Sequence, residues 1–333
     1  MKIAVIEDDK IVIKQADDEK LDGRKGAIVK VLGCGLCGSD IVKFIHKIAK
    51  NGTVLGHEIV AEVVDINSDT SFKIGDVIVT SHHIPCGECV YCKHGNVSMC
   101  KHFKSTNIRP GGFSELVYLS EEHLQNVAHL KPENLSDIEA SFYEPLGCIV
   151  RAVKRANLLE GDEVLVVGLG TIGILTAQAL KAYGANVTGC DLIPERLEYL
   201  NSLGINAIDV KKLDDEYKAD AIFMTSGADK AIDTALKYVR NGGKIVVFSS
   251  TPHDDSSYPN NEIYYRELTV MGSYSPSPKD LQDSLELLRT GKVIVKGLST
   301  VYKLDDVEQA FEDTMANKIM KAYILIADKA IRC

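Results

Sequence analysis

The sequence reads as an α/β chain in two parts: a β-rich module over 1–145 and 276–333, and a doubly wound parallel sheet over 146–275. Three observations point to this. The first 140 residues break into short apolar runs separated by glycine turns. From Leu158 onward strand and helix patterns alternate, as expected of parallel strands joined by helical crossovers. The length of 333 residues exceeds the size at which one hydrophobic core stops growing.

In chain order, KIAVIE, AIVKVLG, EIVAEVVDI and GDVIVTS alternate or run apolar at strand length and predict an all-β module. The run PCGECVYCKHGNVSMC follows, with the spacing Cys86-x2-Cys89-x2-Cys92-x7-Cys100. Four thiolates at this spacing fill every position of a tetrahedral ion, which makes a closed, structural zinc site in a lobe of about 84–102. Ferredoxin-type runs also begin C-x2-C-x2-C, but they continue x3-C-P. Seven residues intervene here and Lys101 follows, so zinc is favoured over a cluster or four unrelated buried thiols.

The second part opens with EVLVVG, a helix over Thr171–Ala182, NVTGCD and a helix from near Pro194. ADAIFMTS, a helix near Lys230–Val239 and GGKIVVFSS continue the alternation. Two amphipathic helices, KDLQDSLELLRTG and LDDVEQAFEDTMAN, and a strand, KAYILIA, end the chain and are assigned back to the first module.

Gly168-Leu169-Gly170-Thr171-Ile172-Gly173 lies between the strand Glu163–Val167 and a helix, the context that turns a weak G-x-G-x-x-G match into a dinucleotide (Rossmann) fingerprint. Gly168 allows a tight turn, Gly170 lets the backbone approach a pyrophosphate, and Gly173 lets helix and strand pack closely. Thr171 and Ile172 open the helix, whose N–H groups and dipole suit phosphates. Asp191 ends the next strand, where an acid accepts hydrogen bonds from the adenosine ribose and repels a 2′-phosphate, so NAD is favoured over NADP. Arg196, one turn into the following helix, suits the NAD ribose or phosphate but also keeps NADP open. The plainer reading of Asp191 is a helix-terminal acid or loop residue.

A net charge of −9 argues against nucleic acid as a partner, because phosphate neutralisation needs a basic face. The N-terminal MKIAVIEDDK lacks a long apolar segment and no run approaches membrane-spanning length, so neither a signal peptide nor a membrane partner is expected. Nine cysteines, an odd number with metal-type spacing, point to a reducing cytoplasm.

Cys37 in GCGLCGSD, His57 and Glu58 in LGHEIV, and Glu144 in FYEPLGC remain. Singly, each has an ordinary reading: a buried thiol, a core histidine, a strand-edge carboxylate and a helix-start acid. Cys34-x2-Cys37 also fits a second structural zinc or a redox pair.

Taken in order, GCGLCGSD, GHE, the four-cysteine run, RPGGFSE, EPLG and VVGLGTIG resemble the zinc-dependent medium-chain alcohol dehydrogenase family, in its sorbitol (polyol) and threonine dehydrogenase branch. The resemblance covers nearly the whole chain. It implies a GroES-like catalytic domain and a Rossmann NAD domain, with two zinc ions per chain, one catalytic and one structural. The catalytic ligands become Cys37, His57 and Glu144, with Cys148 the alternative to Glu144. Glu58 sits at the metal or just behind it, and Asp40 orients His57. Cys34 becomes a small buried residue.

Many relatives carry a histidine five positions after the zinc cysteine, where this chain has Val42. Ser39 is then the first proton-relay hydroxyl; His46 could substitute, but its plainer reading is a solvated loop histidine. The implied reaction moves hydride from a secondary alcohol of a polyol, sugar or cyclitol to NAD. The pocket is expected from 41–48, 82–85 and 106–109, where Lys43, His46 and Lys47 suit a hydroxylated or anionic substrate. Two rivals are an NADPH-preferring aldehyde or ketone reductase and a catalytically silent zinc and dinucleotide-binding protein. A homotetramer is implied, with a dimer through LTVMGSY as the alternative.

Overall fold

The computed structural model describes residues 1–228, 230–250 and 258–327. The chain divides into two compact units: Met1–Pro145 with Ser277–Arg289 and Val295 onward, and Leu146–Pro276 with Thr290–Ile294.

The first unit is built on a seven-stranded sheet in the order Ser299–Lys303, Lys321–Leu325, Gly26–Gly35, Glu58–Asn67, Val77–Val79, His129–Leu130, with Leu116–Ser120 also paired to Gly26–Gly35. The ten-residue strand Gly26–Gly35 is long enough to take two partners along one edge. Its first half pairs with Leu116–Ser120 and its end, Gly33–Gly35, with Lys321–Leu325. The segment at the end of the described chain therefore reaches the strand that leads into CGSD. Val29, Val31, Ala61, Val63, Val117, Phe311 and Ile324 form the core of this unit.

The all-β expectation for this stretch is corrected by short helices at Gly38–Ile45, Glu121–Asn126 and elsewhere. A 14-residue helix, Tyr143–Ala156, also escaped the sequence pattern. It begins where the plainer reading of Glu144 put a helix-start acid, and it carries Pro145 and Gly147 in its first turns. Proline is tolerated in a first helical turn, where its missing N–H has no partner to lose.

The second unit has an all-parallel six-stranded sheet in the order Asn206–Asp209, Asn186–Asp191, Glu163–Val167, Ala219–Met224, Val239–Val247, Thr269–Gly272. Chain order reverses between Glu163–Val167 and Ala219–Met224, the position where doubly wound sheets bind ligands at their carboxyl ends. Leu165, Cys190, Ile222, Met224 and Ile245 are buried in its core, so Cys190 serves as a small apolar residue. Among the described residues no helix is long and apolar enough to cross a membrane.

Candidate active site

Strand register assembles the first cluster. Gly26–Gly35 runs antiparallel to Glu58–Asn67 with Gly35 opposite Glu58. Cys37, two residues past one strand end, thereby meets His57, which immediately precedes the other strand. Donor atoms of Cys37, His57 and Glu58 lie within 4.8 Å of one another.

Asp40, fully buried in the first turn of Gly38–Ile45, ties these pieces together. Its carboxylate accepts the Cys37 N–H at 3.4 Å and the Gly56 N–H at 3.5 Å, and lies 3.4 Å from His57 Nδ1. Anchoring through Nδ1 leaves Nε2 as the ring atom open to a metal. Burial pushes the His57 imidazole down, but the charges and hydrogen bonds of Asp40 and Cys37 outweigh it and hold the ring well above its ordinary value. Cys37 caps the same helix, its sulfur accepting the Ser39 N–H at 3.5 Å. Ser39 is half-buried beside it.

Lys321 was not found by sequence reasoning. It opens the strand Lys321–Leu325, which reads as a surface position, yet it is buried and forms an ion pair with the buried Glu58. Its Nζ also donates to the Leu36 carbonyl at 3.1 Å. Burial pulls its ammonium down, but Glu58 and Cys37 outweigh this and keep it charged. Apart from this ion pair the Glu58 carboxylate finds no hydrogen-bond donor among the described residues.

Glu144 is buried in the first turn of Tyr143–Ala156. Its donor atom lies within 4.8 Å of those of His57 and His82, so His57 belongs to two overlapping groups. Cys148, one helical turn on, belongs to neither group. Cys34 is fully buried in the sheet core, donating weakly to the Gly35 carbonyl. Val42 is half-buried and His46 exposed. A half-buried thiol and buried imidazoles and carboxylates around a partly orphaned Glu58 are the donor chemistry of zinc. The residues fit the ion.

A cavity of ≈ 250 Å³ adjoins His57. Lys43 and Ile48, His82, and Asn107 line it, so each of the three expected segments contributes. Among the described residues the Lys43 ammonium forms no ion pair at contact distance.

In the four-cysteine lobe the donor sulfurs all lie within 4.8 Å of one another. Individual separations are 3.5 Å for Cys86–Cys100, 3.6 Å for Cys89–Cys92 and 4.0 Å for Cys86–Cys92. Four sulfurs about 2.3 Å from one zinc stand about 3.8 Å apart in a tetrahedron, so this lobe also fits its metal.

In the second unit Gly168 takes φ +94°, the left-handed turn between strand and helix. A Cβ on Gly173 would overlap the Gly168 carbonyl oxygen, whereas one on Gly170 would meet nothing within 4 Å. That open space beside the start of Thr171–Ala182 fits a diphosphate. Gly173→Ala is expected to destabilise the protein by about 1–3 kcal/mol through overpacking, read by thermal unfolding.

Asp191 does more than the sequence suggested. Its carboxylate accepts the N–H groups of Leu169 (2.6 Å), Leu192 (2.7 Å) and Ile193 (3.0 Å), pinning the glycine loop to the strand end. Arg196 approaches at 3.4 Å, the loosest of its contacts and the one a ribose hydroxyl would most readily replace.

A parallel sheet with a glycine-rich crossover, and a half-buried thiol with buried imidazole and carboxylate donors in the other unit, define a zinc- and NAD-dependent oxidoreductase. Residues 23–129 match the alcohol dehydrogenase GroES-like domain and residues 171–290 the zinc-binding dehydrogenase domain. The chain belongs to the zinc-dependent medium-chain dehydrogenase family. It is 31% identical over 332 residues to a sorbitol dehydrogenase of Halalkalibacterium halodurans, covering 94% of this chain and 95% of that one. It is 30% identical to a D-arabitol-phosphate dehydrogenase of Enterococcus avium, covering 94% and 91%. The solved structure of an alcohol dehydrogenase from Thermus sp. ATN1 shares the fold at a TM-score of 0.86 and 24% identity, covering 98% of this chain and 100% of that one.

Proposed function

We propose that this enzyme transfers hydride from a secondary alcohol of a polyol, sugar or cyclitol to NAD, with Cys37, His57 and Glu144 holding the catalytic zinc. The observation that carries the reading is the donor set around His57, fixed by Asp40 and opening on a cavity of mixed lining to which Lys43, Thr53 and Asn107 bring polar groups. The polyol names of the sorbitol and arabitol-phosphate relatives support the substrate class.

Zinc, when bound, supplies Lewis acidity that lowers the pKa of the substrate hydroxyl. The chain's own residues do the rest. Asp40 holds His57 in one orientation and tautomer through Nδ1. Glu58 stands at or just behind the metal, drawn toward Lys321. Ser39 takes the hydroxyl proton toward solvent, and Val42 offers no group to carry it further. Gly168, Gly170 and Gly173, with the N–H groups of Thr171 and Ile172, seat the diphosphate, while Asp191 and Arg196 face the adenosine ribose.

The test is a panel of polyols, sugars, cyclitols and hydroxy amino acids with NAD, followed at the reduced-cofactor absorbance. The lone ammonium of Lys43 is the reason to include polyol phosphates. No turnover on any member by zinc-loaded protein would sink the reading.

Asp191→Ser is expected to lower kcat/KM with NAD by about tenfold, about 1.4 kcal/mol, and to raise it with NADP. An unchanged ratio would assign Asp191 to the loop alone. We further propose a cytoplasmic homotetramer, with a dimer as the alternative, assembled through the open edge of Thr269–Gly272. Light scattering on the eluting protein distinguishes tetramer, dimer and monomer.

A further inference from the structure

We propose that His82 is a ligand of the same metal, entering beside His57 together with Glu144. The inference rests on the zinc dehydrogenase reading above and adds a donor which that reading left as a pocket-lining residue, one that a substrate hydroxyl would displace or join as a fifth ligand.

Three observations carry it. Donor atoms of His57, His82 and Glu144 lie within 4.8 Å of one another, the same closeness as in the Cys37, His57 and Glu58 group. His82 is only 8% exposed, and its Nδ1 is buried with no hydrogen-bond partner among the described residues. A buried polar nitrogen without a partner is uncommon and calls for a cause, such as an ion. Position 82 is also anchored from behind. The buried His123 donates from Nε2 to the His82 carbonyl at 3.2 Å, while its Nδ1 pairs with Ser120 Oγ at 2.7 Å. The backbone that carries His82 is thereby fixed, and the ring lies against His57 with centroids 4.3 Å apart and planes tilted by 44°.

The neighbouring His83 makes the contrast. Its Nδ1 is already paired with the Thr106 carbonyl, so it has a structural partner where His82 has none. Of two adjacent histidines, one is engaged by the fold. The other is left to the donor cluster.

The test uses the whole protein with cobalt(II) in place of zinc, because cobalt reports its ligands through visible d–d bands. His82→Ala is expected to shift and re-scale those bands. Its zinc affinity at this site should fall by more than about 100-fold, beyond the roughly 10–100-fold that loss of an outer partner costs. Added imidazole should restore the bands, and the zinc of the four-cysteine lobe should stay bound. His82→Gln, which keeps more of the volume, should behave as His82→Ala does, and His83→Ala should leave the bands unchanged. Bands that do not move in a folded His82 variant overturn the proposal, whether affinity is unchanged or falls less than about 100-fold, since His82 then only packs or meets substrate. Wild-type protein that binds one metal per chain overturns this inference and the catalytic reading together. Wild-type protein with two metals and polyol activity, but silent His82 variants, overturns this inference alone.

Discussion

Replacing His57 by alanine is expected to lower kcat/KM by at least about 10³-fold, about 4 kcal/mol of transition-state stabilisation, and to cut bound zinc from two ions per chain to one. His57 is common to both donor groups, so its loss removes a ligand from each. The loss also strands Asp40. That carboxylate is fully buried, and although burial pushes its pKa up, the neighbouring His57 holds it below the usual range. Without the imidazole, the buried charge keeps, among the described residues, two long backbone contacts from Cys37 and Gly56 and the more distant charge of Lys43. Breaking such a pair from one side is costly because the remaining charge is uncompensated. Cys37→Ser separates the two effects: it removes the sulfur donor and leaves the Asp40–His57 contact in place. It should abolish turnover with a smaller loss of thermal stability than His57→Ala. Near-full activity in both variants with the zinc depleted would refute the assignment.

What could be read from the sequence was what acts over short stretches of chain. The four cysteines, 14 positions from first to last, and the three glycines each work over a short stretch of chain, so their spacing alone carries their geometry. The strand–helix alternation after Leu158 is likewise local, and its parallel sheet follows directly. The His57 cluster is different. Cys37 and His57 meet only because Gly35 pairs opposite Glu58, a register that no spacing announces. Lys321 reaches Leu36 across 285 positions and reads as the solvated start of a strand. His82 gave no sign of its burial in a loop sequence with two adjacent histidines. Asp191 was legible as a ribose acid, but its bond to Leu169 depends on how the glycine loop folds back on the strand end. Helix Tyr143–Ala156 showed in the sequence only through the plainer reading of Glu144 as a helix-start acid, and its length went unread.

Removal of the four-cysteine zinc is expected to unfold its lobe while leaving the His57 cluster able to bind its own ion. The lobe has almost no apolar core to fall back on. Its helix Val90–Lys93 has no buried residue, and in Val97–Met99 only Ser98 is buried. Val90 and Tyr91 are 62% and 47% exposed, so side chains that elsewhere would fill a core face outward. What orders this segment is the convergence of Cys86, Cys89, Cys92 and Cys100, with Cys100 buried against the body of the unit. Structural zinc contributes about 10–16 kcal/mol of apparent binding free energy in isolated finger peptides, and such free energy acts as folding free energy. In a lobe fastened at both ends to a folded sheet, only part of that reaches global stability. Cys89→Ser should therefore leave one zinc per chain, open 84–102 to limited proteolysis, and lower the unfolding midpoint by about 10 °C or more, which at about 2–4 °C per kcal/mol corresponds to several kcal/mol. Because Cys86 is exposed, a chelator should reach this site in the wild type and reproduce the variant's cleavage pattern. Cleavage that stays absent after the zinc is lost would mean that the chain itself, and not the ion, holds the lobe.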